Sequence, residues 1–175
     1  MRRLPDRREV DAMIRVDQAG EFGATRIYAG QLAVLPPGSH AARVVTHMAA
    51  GEERHLDWFN REMAERGVRP TALTPLWDRA GFMLGAVTAL ISPEAAMACT
   101  EAVETEIDRH YTQQREALAD SDPRLSTAIA DFQADEVEHR DTAREHGADK
   151  AVGYPLLTAA IRLGCRAAIA LTQRI

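Results

Sequence analysis

The sequence predicts an all-α protein, a four-helix bundle made from a duplicated helical hairpin. Three observations predict it. The chain is 46% hydrophobic but only 5% aromatic, and alanine is abundant, a composition that favours helices. Its apolar residues recur at helical spacing along four long segments. Two Glu-x-x-His runs, Glu52-Glu53-Arg54-His55 and Glu136-Val137-Glu138-His139, stand 84 residues apart. A length of 175 residues suits one domain with a sizeable core, taken as residues 1–175.

The first helix is predicted from about Pro5 or Asp6 to Leu35, where Pro36-Pro37-Gly38 stops it. Its inward stripe reads Val10, Ile14, Asp17, Glu21, Ala24, Tyr28, Gln31. Gly20 and Gly23 flank Glu21. Glycine costs roughly 1 kcal/mol inside a helix, so the pair predicts close packing or a kink. The second helix starts at an N-cap Ser39 and ends near Arg66-Gly67. Its stripe reads Val45, Met48, Glu52, His55, Phe59, Met63. These two helices form a first repeat half, about 6–66.

A crossover of residues 67–92 follows, and its stretch 80–91 carries no charge. That stretch is too short to cross roughly 30 Å of hydrocarbon. It predicts a helix that is buried or lies in a membrane interface. Ser92-Pro93-Glu94 opens the third long helix, with an inward stripe of Met97, Thr100, Glu104, Ile107, Tyr111, Gln114, Leu118. Asp122-Pro123 opens the fourth, which stops near His146-Gly147 and faces Leu125, Ile129, Phe132, Glu136, His139, Ala143 inward. The second repeat half is about 93–147. The segment 154–175 reads as an additional amphipathic C-terminal helix with Arg162, Arg166 and Arg174 among apolar residues. It either packs on the bundle or faces a membrane.

The two halves match in spacing. Glu21 precedes Glu52 by 31 residues and Glu104 precedes Glu136 by 32. Each half places one inward Glu on its first helix and an inward Glu-x-x-His on its second. Positions i and i+3 share a helix face, so each Glu and His point the same way. Bundles that bind two metals use one Glu from each of two helices and Glu-x-x-His from the other two. Four glutamates and two imidazoles on core stripes would each cost several kcal/mol if buried unpaired. Two divalent cations would neutralise the carboxylates. Oxygen and nitrogen ligands without thiolate suit iron or manganese, with zinc a lesser fit.

A net charge of −5 argues against nucleic acid as a partner. Cys99 and Cys165 form no CxxC pair, which suits a reducing compartment. No apolar run follows the N-terminal arginines, so no secretion signal is expected. No dinucleotide-binding or P-loop fingerprint is present.

Longer motifs carry a family resemblance. They are Arg15-Val16-Asp17-Gln18-Ala19-Gly20-Glu21-Phe22-Gly23-Ala24 with Ile27-Tyr28-Ala29-Gly30-Gln31, then Arg69-Pro70-Thr71 and Pro75-Leu76-Trp77. Ala96-Met97-Ala98-Cys99-Thr100, Asp135-Glu136-Val137-Glu138-His139 and Gly164-Cys165-Arg166 complete the set. From about Ile14 to Ile175 the chain resembles the demethoxyubiquinone hydroxylases of ubiquinone biosynthesis. Two positions depart from the family pattern. Gln18 stands where members often have His, and Thr105 stands where many have a second Glu.

The resemblance implies a ferritin-like fold and a carboxylate-bridged di-iron monooxygenase with two iron ions per chain. Its ligand pattern falls on Glu21, Glu52, His55, Glu104, Glu136 and His139, the same six that the spacing selects. The implied reaction uses O₂ to hydroxylate the ring of a demethoxyubiquinone or its quinol. Such a polyprenyl substrate implies a peripheral protein on the cytoplasmic side of a bacterial cell membrane. Phe82, Leu84, Leu90, Ile91, Leu156, Leu157 and Ile161 would then dock on lipid, with Arg162 and Arg166 on anionic headgroups. The electron donor, whether NADH or a reductase, is left open, as are a homo-oligomer and an accessory protein of the pathway.

Around the six, Asp17 and Asp135 are predicted to orient metal-bound histidines, against the alternative that they face solvent. Tyr111 either bonds near the metals or substrate or simply packs in the core. Glu101 is a spare ligand should the stripe be out of phase. Glu53, Glu106 and Glu138 are predicted to face water, and His40, His47, His110 and His146 to be surface or capping residues. The competing functional reading is a ferritin-like iron-storage or peroxide-scavenging protein. A third is a bundle that binds membranes without catalysis.

Overall fold

The computed structural model describes residues 3–118 and 121–175, and every regular element in them is helical. Six α-helices follow in order: α1 (Arg7–Val34), α2 (His40–Arg66), α3 (Thr74–Ile91), α4 (Pro93–Leu118), α5 (Pro123–Glu145) and α6 (Tyr154–Thr172). A single 3₁₀ turn, Ala148–Lys150, joins the last two. The helix ends fall within a residue or two of the expected positions because their caps are local. Asp6 and Glu9 form a reciprocal capping box at the start of α1. Ser39 accepts from the Ala42 N–H and Asp122 from the Leu125 N–H, each at 3.1 Å. Gly67 and Gly147 take φ values of +70° and +88° to end α2 and α5.

Helices α1 and α2 pair as one hairpin, and α4 and α5 as the other. Two apolar clusters fill the ends of the bundle. One gathers Tyr28, Val45, Met48, Met97 and Ala143. The other gathers Ile14, Phe59, Leu118, Leu125 and Ile129. The six predicted metal ligands occupy the layer between them.

The duplication extends past the hairpins. Helix α3 lies along α1 as α6 lies along α4, so each half is a hairpin plus a flanking helix. Both flanking helices carry a proline in the first turn, Pro75 and Pro155, 80 residues apart. They are held differently. On α3, Gly81 and Gly85 let two backbones touch: a Cβ at Gly85 would lie 1.9 Å from the Ile27 carbonyl oxygen, and one at Gly30 would lie 2.0 Å from that of Phe82. At the matching positions α6 carries Ile161 and Cys165. Those side chains hold α6 off α4.

The close packing expected at Gly20 and Gly23 is found at Gly23 alone, whose carbonyl oxygen would lie 2.9 Å from a Cβ on Gly81. A Cβ at Gly20 or at Gly23 would meet nothing within 4 Å. Both line a cavity of about 560 Å³ between α1, α3, α4 and α6. Its walls include Val16, Ile27, Leu84, Ile107 and Ile161. Trp77 donates to the Thr172 hydroxyl at 3.2 Å, joining α3 to α6 at one end.

The residues expected to dock on a membrane divide. Leu90, Ile91 and Leu156 are exposed, whereas Phe82, Leu84 and Leu157 are half-buried. Ile161 is buried against Cys99 and Val103. Arg162 and Arg166 turn inward to the carboxylate of Glu106, which is buried and does not face water as its off-stripe position suggested. Among the described residues α6 alone is long and apolar enough to cross a membrane, on length and composition.

Candidate metal centre

Each predicted ligand is delivered by a different register of the same device. An inward stripe runs apolar, then polar at mid-height, then apolar again. The structure brings all six together. Glu21, Glu52, His55 and Glu136 form one group, and Glu52, Glu104, Glu136 and His139 a second. Within each, one ligand atom per residue lies within 4.8 Å of the others. Glu52 and Glu136 belong to both groups. The four glutamates are 0–1% exposed.

The imidazoles present the same nitrogen inward. His55 Nδ1 lies 3.1 Å from Glu136 Oε1 and 3.4 Å from Glu21 Oε2. His139 Nδ1 lies 3.0 Å from Glu52 Oε1 and 3.3 Å from Glu136 Oε2. The outer nitrogen of His55 is 2.9 Å from Asp135 Oδ2, the arrangement by which a carboxylate fixes a ligating ring. On the other side no carboxylate stands in Asp135's place. Gly51 precedes Glu52, and a Cβ there would lie 3.0 Å from the His139 ring.

The donor set fits a metal pair. Both oxygens of Glu52 and of Glu136, Oε2 of Glu21 and of Glu104, and both inward Nδ1 atoms are buried without a hydrogen bond. Buried polar atoms are normally partnered, so this many in one place calls for cations. Burial, followed by repulsion from Glu136, pushes the Glu52 and Glu104 carboxyls well above their usual range. Burial raises Glu136 to about 7. Burial alone would lower the His55 imidazole, but the neighbouring Glu136 and Glu21 outweigh it and lift it to about 11. Burial lowers the His139 imidazole.

Two tyrosines complete the layer. Tyr28 donates to Glu104 Oε1 at 3.0 Å. Tyr111 donates to Glu21 Oε1. Each phenol stands seven residues after the glutamate of its own half and bonds the glutamate of the other. Ten residues after each glutamate comes a glutamine. Gln114 donates to Asp17 Oδ1 at 2.7 Å, and Gln31 to the Ala96 carbonyl at 3.0 Å. Tyr28, Gln31 and Gln114 were on the predicted stripes without a role. The equal offsets in the two halves were the signal that could have found them.

Several neighbours lie elsewhere than expected. Asp17 bonds Gln114 and lies 3.3 Å from His110 Nε2, so it orients no metal-facing histidine. His110 is accordingly half-buried inside the bundle rather than on its surface. Glu101 stays outside both groups and accepts from the Tyr154 hydroxyl and from Arg144 Nε. His146 caps α5 through Thr142, and Glu53 and Glu138 are exposed.

The apolar cavity adjoins this layer. Its lining residues Gly20 and Val103 are the chain neighbours of Glu21 and Glu104. Glu106 is the only charged residue among those that line it, and its charge is matched by Arg162 and Arg166. Cys165 also lines it, and burial pushes that thiol and Cys99 up to about 12, so neither is a thiolate at neutral pH.

A family model described as ubiquinone biosynthesis protein COQ7 matches residues 8–172. The chain belongs to the COQ7 family. The 3-demethoxyubiquinol 3-hydroxylase of Rhodospirillum rubrum is 49% identical over 166 residues, covering 95% of this chain and 78% of the relative. The NADPH-dependent 3-demethoxyubiquinone 3-hydroxylase, mitochondrial, of Mus musculus is 49% identical over 173 residues, covering 97% and 79%. The 5-demethoxyubiquinone hydroxylase, mitochondrial, of Saccharomyces cerevisiae is 46% identical over 182 residues, covering 95% and 78%. The COQ7 match spans the six helices but for Arg7, and with them every residue of the Glu/His layer.

Proposed function

We propose that this chain is a di-iron hydroxylase that uses O₂ to hydroxylate the ring of a demethoxyubiquinone or its quinol in ubiquinone biosynthesis. The observation that carries this reading is the juxtaposition of the buried Glu/His layer with an apolar cavity. The family and the names of its hydroxylase relatives support it over iron storage.

Glu21, Glu52, His55 and Glu136 would hold one iron, and Glu52, Glu104, Glu136 and His139 the other. When bound, the pair supplies the O₂ and electron chemistry. The chain does the rest. Glu52 and Glu136, shared by the two groups, tie the sites together. Asp135 keeps the His55 ring in the tautomer that presents Nδ1 inward. Tyr28 and Tyr111 hold protons at Glu104 Oε1 and Glu21 Oε1. The cavity binds the ring and the start of the prenyl tail beside Gly20 and Val103, and its apolar walls keep bulk water from the reacting face.

A lipid-soluble substrate must reach that cavity from a bilayer. The exposed Met83, Val87, Leu90 and Ile91 of α3 and Leu156, Leu163 and Leu171 of α6 would rest on it, making the chain a peripheral protein of a membrane surface. A reduced nicotinamide nucleotide is the donor class favoured, on the name of the mouse relative.

Complementation of a bacterial strain blocked at this hydroxylation, scored by lipid mass spectrometry, tests the reading. Wild type should restore ubiquinone and clear the demethoxy precursor. Glu52→Ala and Glu136→Ala should each abolish rescue while the helical content stays. A wild-type chain that leaves the precursor in place, or forms a soluble cage loading many irons, would overturn it.

A further inference from the structure

The four carboxylates of the layer are not equivalent, and the difference lies in their hydrogen bonds. Neither oxygen of Glu52 or of Glu136 accepts a hydrogen bond. Glu21 and Glu104 have one free oxygen each, Oε2, because Oε1 accepts from a phenol. The two phenols come from opposite halves. Tyr111 of α4 reaches Glu21 of α1, and Tyr28 of α1 reaches Glu104 of α4. Both tyrosines are 1% exposed.

We propose that Tyr28 and Tyr111 are positioning residues that each restrict a glutamate, Glu104 and Glu21 respectively, to a single metal-binding oxygen. The inference rests on the di-metal reading above. A carboxylate oxygen that accepts a charge-assisted hydrogen bond is a weaker donor to a metal, and the bond fixes the rotation of the carboxylate plane. Oε2, which accepts no hydrogen bond, becomes the ligand atom at Glu21 and at Glu104. Glu52 and Glu136, with no such restraint, keep two oxygens to share between two ions. Each metal then has fewer oxygen ligands than four glutamates could supply, which leaves coordination room on the side of Glu21 and Glu104. That is the side where Gly20 and Val103 meet the apolar cavity. Matched sites would arise because the device is duplicated with the fold.

The test uses Co(II) as the probe, because its visible absorption weakens as ligands are added. The purified full chain is titrated with Co(II) at neutral pH, alongside Tyr28→Phe, Tyr111→Phe, the double variant and Tyr154→Phe. Tyr154 is the control, since its phenol bonds a buried carboxylate, Glu101, outside the layer. Wild type and Tyr154→Phe should bind two Co(II) per chain with the same spectrum. Tyr28→Phe and Tyr111→Phe should each bind two Co(II) and lose absorption intensity, and the double variant should lose more. If both single variants bind two ions with the wild-type spectrum, the restriction is overturned. If one variant fails to fold, the other decides at its own site. If wild type binds no Co(II) pair, the di-metal reading falls, and the inference with it.

Discussion

Arg166 of α6 grips Glu106 of α4 with two bonds. Its Nε lies 2.8 Å from Oε2 and its Nη2 lies 2.7 Å from Oε1. Arg162 adds Nε at 2.8 Å to Oε1. The Arg166 guanidinium, helped by Arg162, holds the Glu106 carboxyl down at about 2 despite burial. Ion pairing here replaces the backbone contact that fastens α3, because Ile161 and Cys165 stand where Gly81 and Gly85 would allow close approach. Glu106→Ala should cost roughly 2 kcal/mol, the range for a buried acceptor bonded by charged donors. Arg166→Ala should cost less than Glu106→Ala, because that side chain is 50% exposed and Arg162 remains. Urea unfolding measures both, and limited proteolysis should cut near α6 sooner in Glu106→Ala.

The α1–α3 contact makes a sharp contrast among glycines. Gly85→Ala and Gly30→Ala would drive a Cβ into a backbone carbonyl across the interface. Each should destabilise by about 1–3 kcal/mol, the usual range for overpacking. Gly20→Ala meets open space and should be neutral or stabilising by up to about 1 kcal/mol, from helix propensity. Thermal melts of the three variants, compared at equal ionic strength, check the order.

Asp135 and Asp17 should separate in metal affinity. Asp135→Asn removes the carboxylate from His55 Nε2 and should weaken binding about 10–100-fold. Asp17→Asn touches only the Gln114 and His110 side and should leave affinity near wild type. Competition with a chelator of known affinity gives both values. Equal losses in the two variants would contradict the assignment.

Acid should loosen the start of α5 through Asp122. Its burial pushes the carboxyl up, but the Arg66 hydrogen bond and the Leu125 N–H more than offset this, and the group ends below its ordinary 3.8. A depressed carboxyl stabilises the fold fully above the unfolded value and loses that stability as pH falls through the folded one. Wild type should therefore lose stability below about pH 4 more steeply than Asp122→Asn. The variant keeps an N-cap acceptor, because Asn caps as well as Asp, and starts weaker at pH 7 only by the charge that Asp122 presents to Arg66. Unfolding free energies from pH 7 to 3 test the slope.

Much of the site was legible in the primary structure, for a periodic reason. Glu21, Glu52, His55, Glu104, Glu136 and His139 each interrupt an apolar stripe of 3.6-residue period, and the chain repeats the pattern after 83 or 84 residues. The caps Asp6, Ser39 and Asp122 act over three residues, so helix ends could be read locally. Glu106 was misread by the same logic. It lies off the inward stripe of α4, and its burial comes from a helix whose contact face the period of α4 says nothing about.

The sequence by itself determined the helices, their caps, the duplication and which six residues meet at mid-height, because these follow from spacing along a regular helix. Only the tertiary structure decided that Tyr28 and Tyr111 cross to the opposite half, that Asp17 serves Gln114, and that α6 stands off α4 to leave an apolar cavity. Those outcomes depend on contacts between residues 56 to 97 positions apart, and on side-chain bulk at the interface between helices. A glycine at 85 and a cysteine at 165 look alike to a hydrophobic pattern, yet one brings two backbones together and the other keeps them apart.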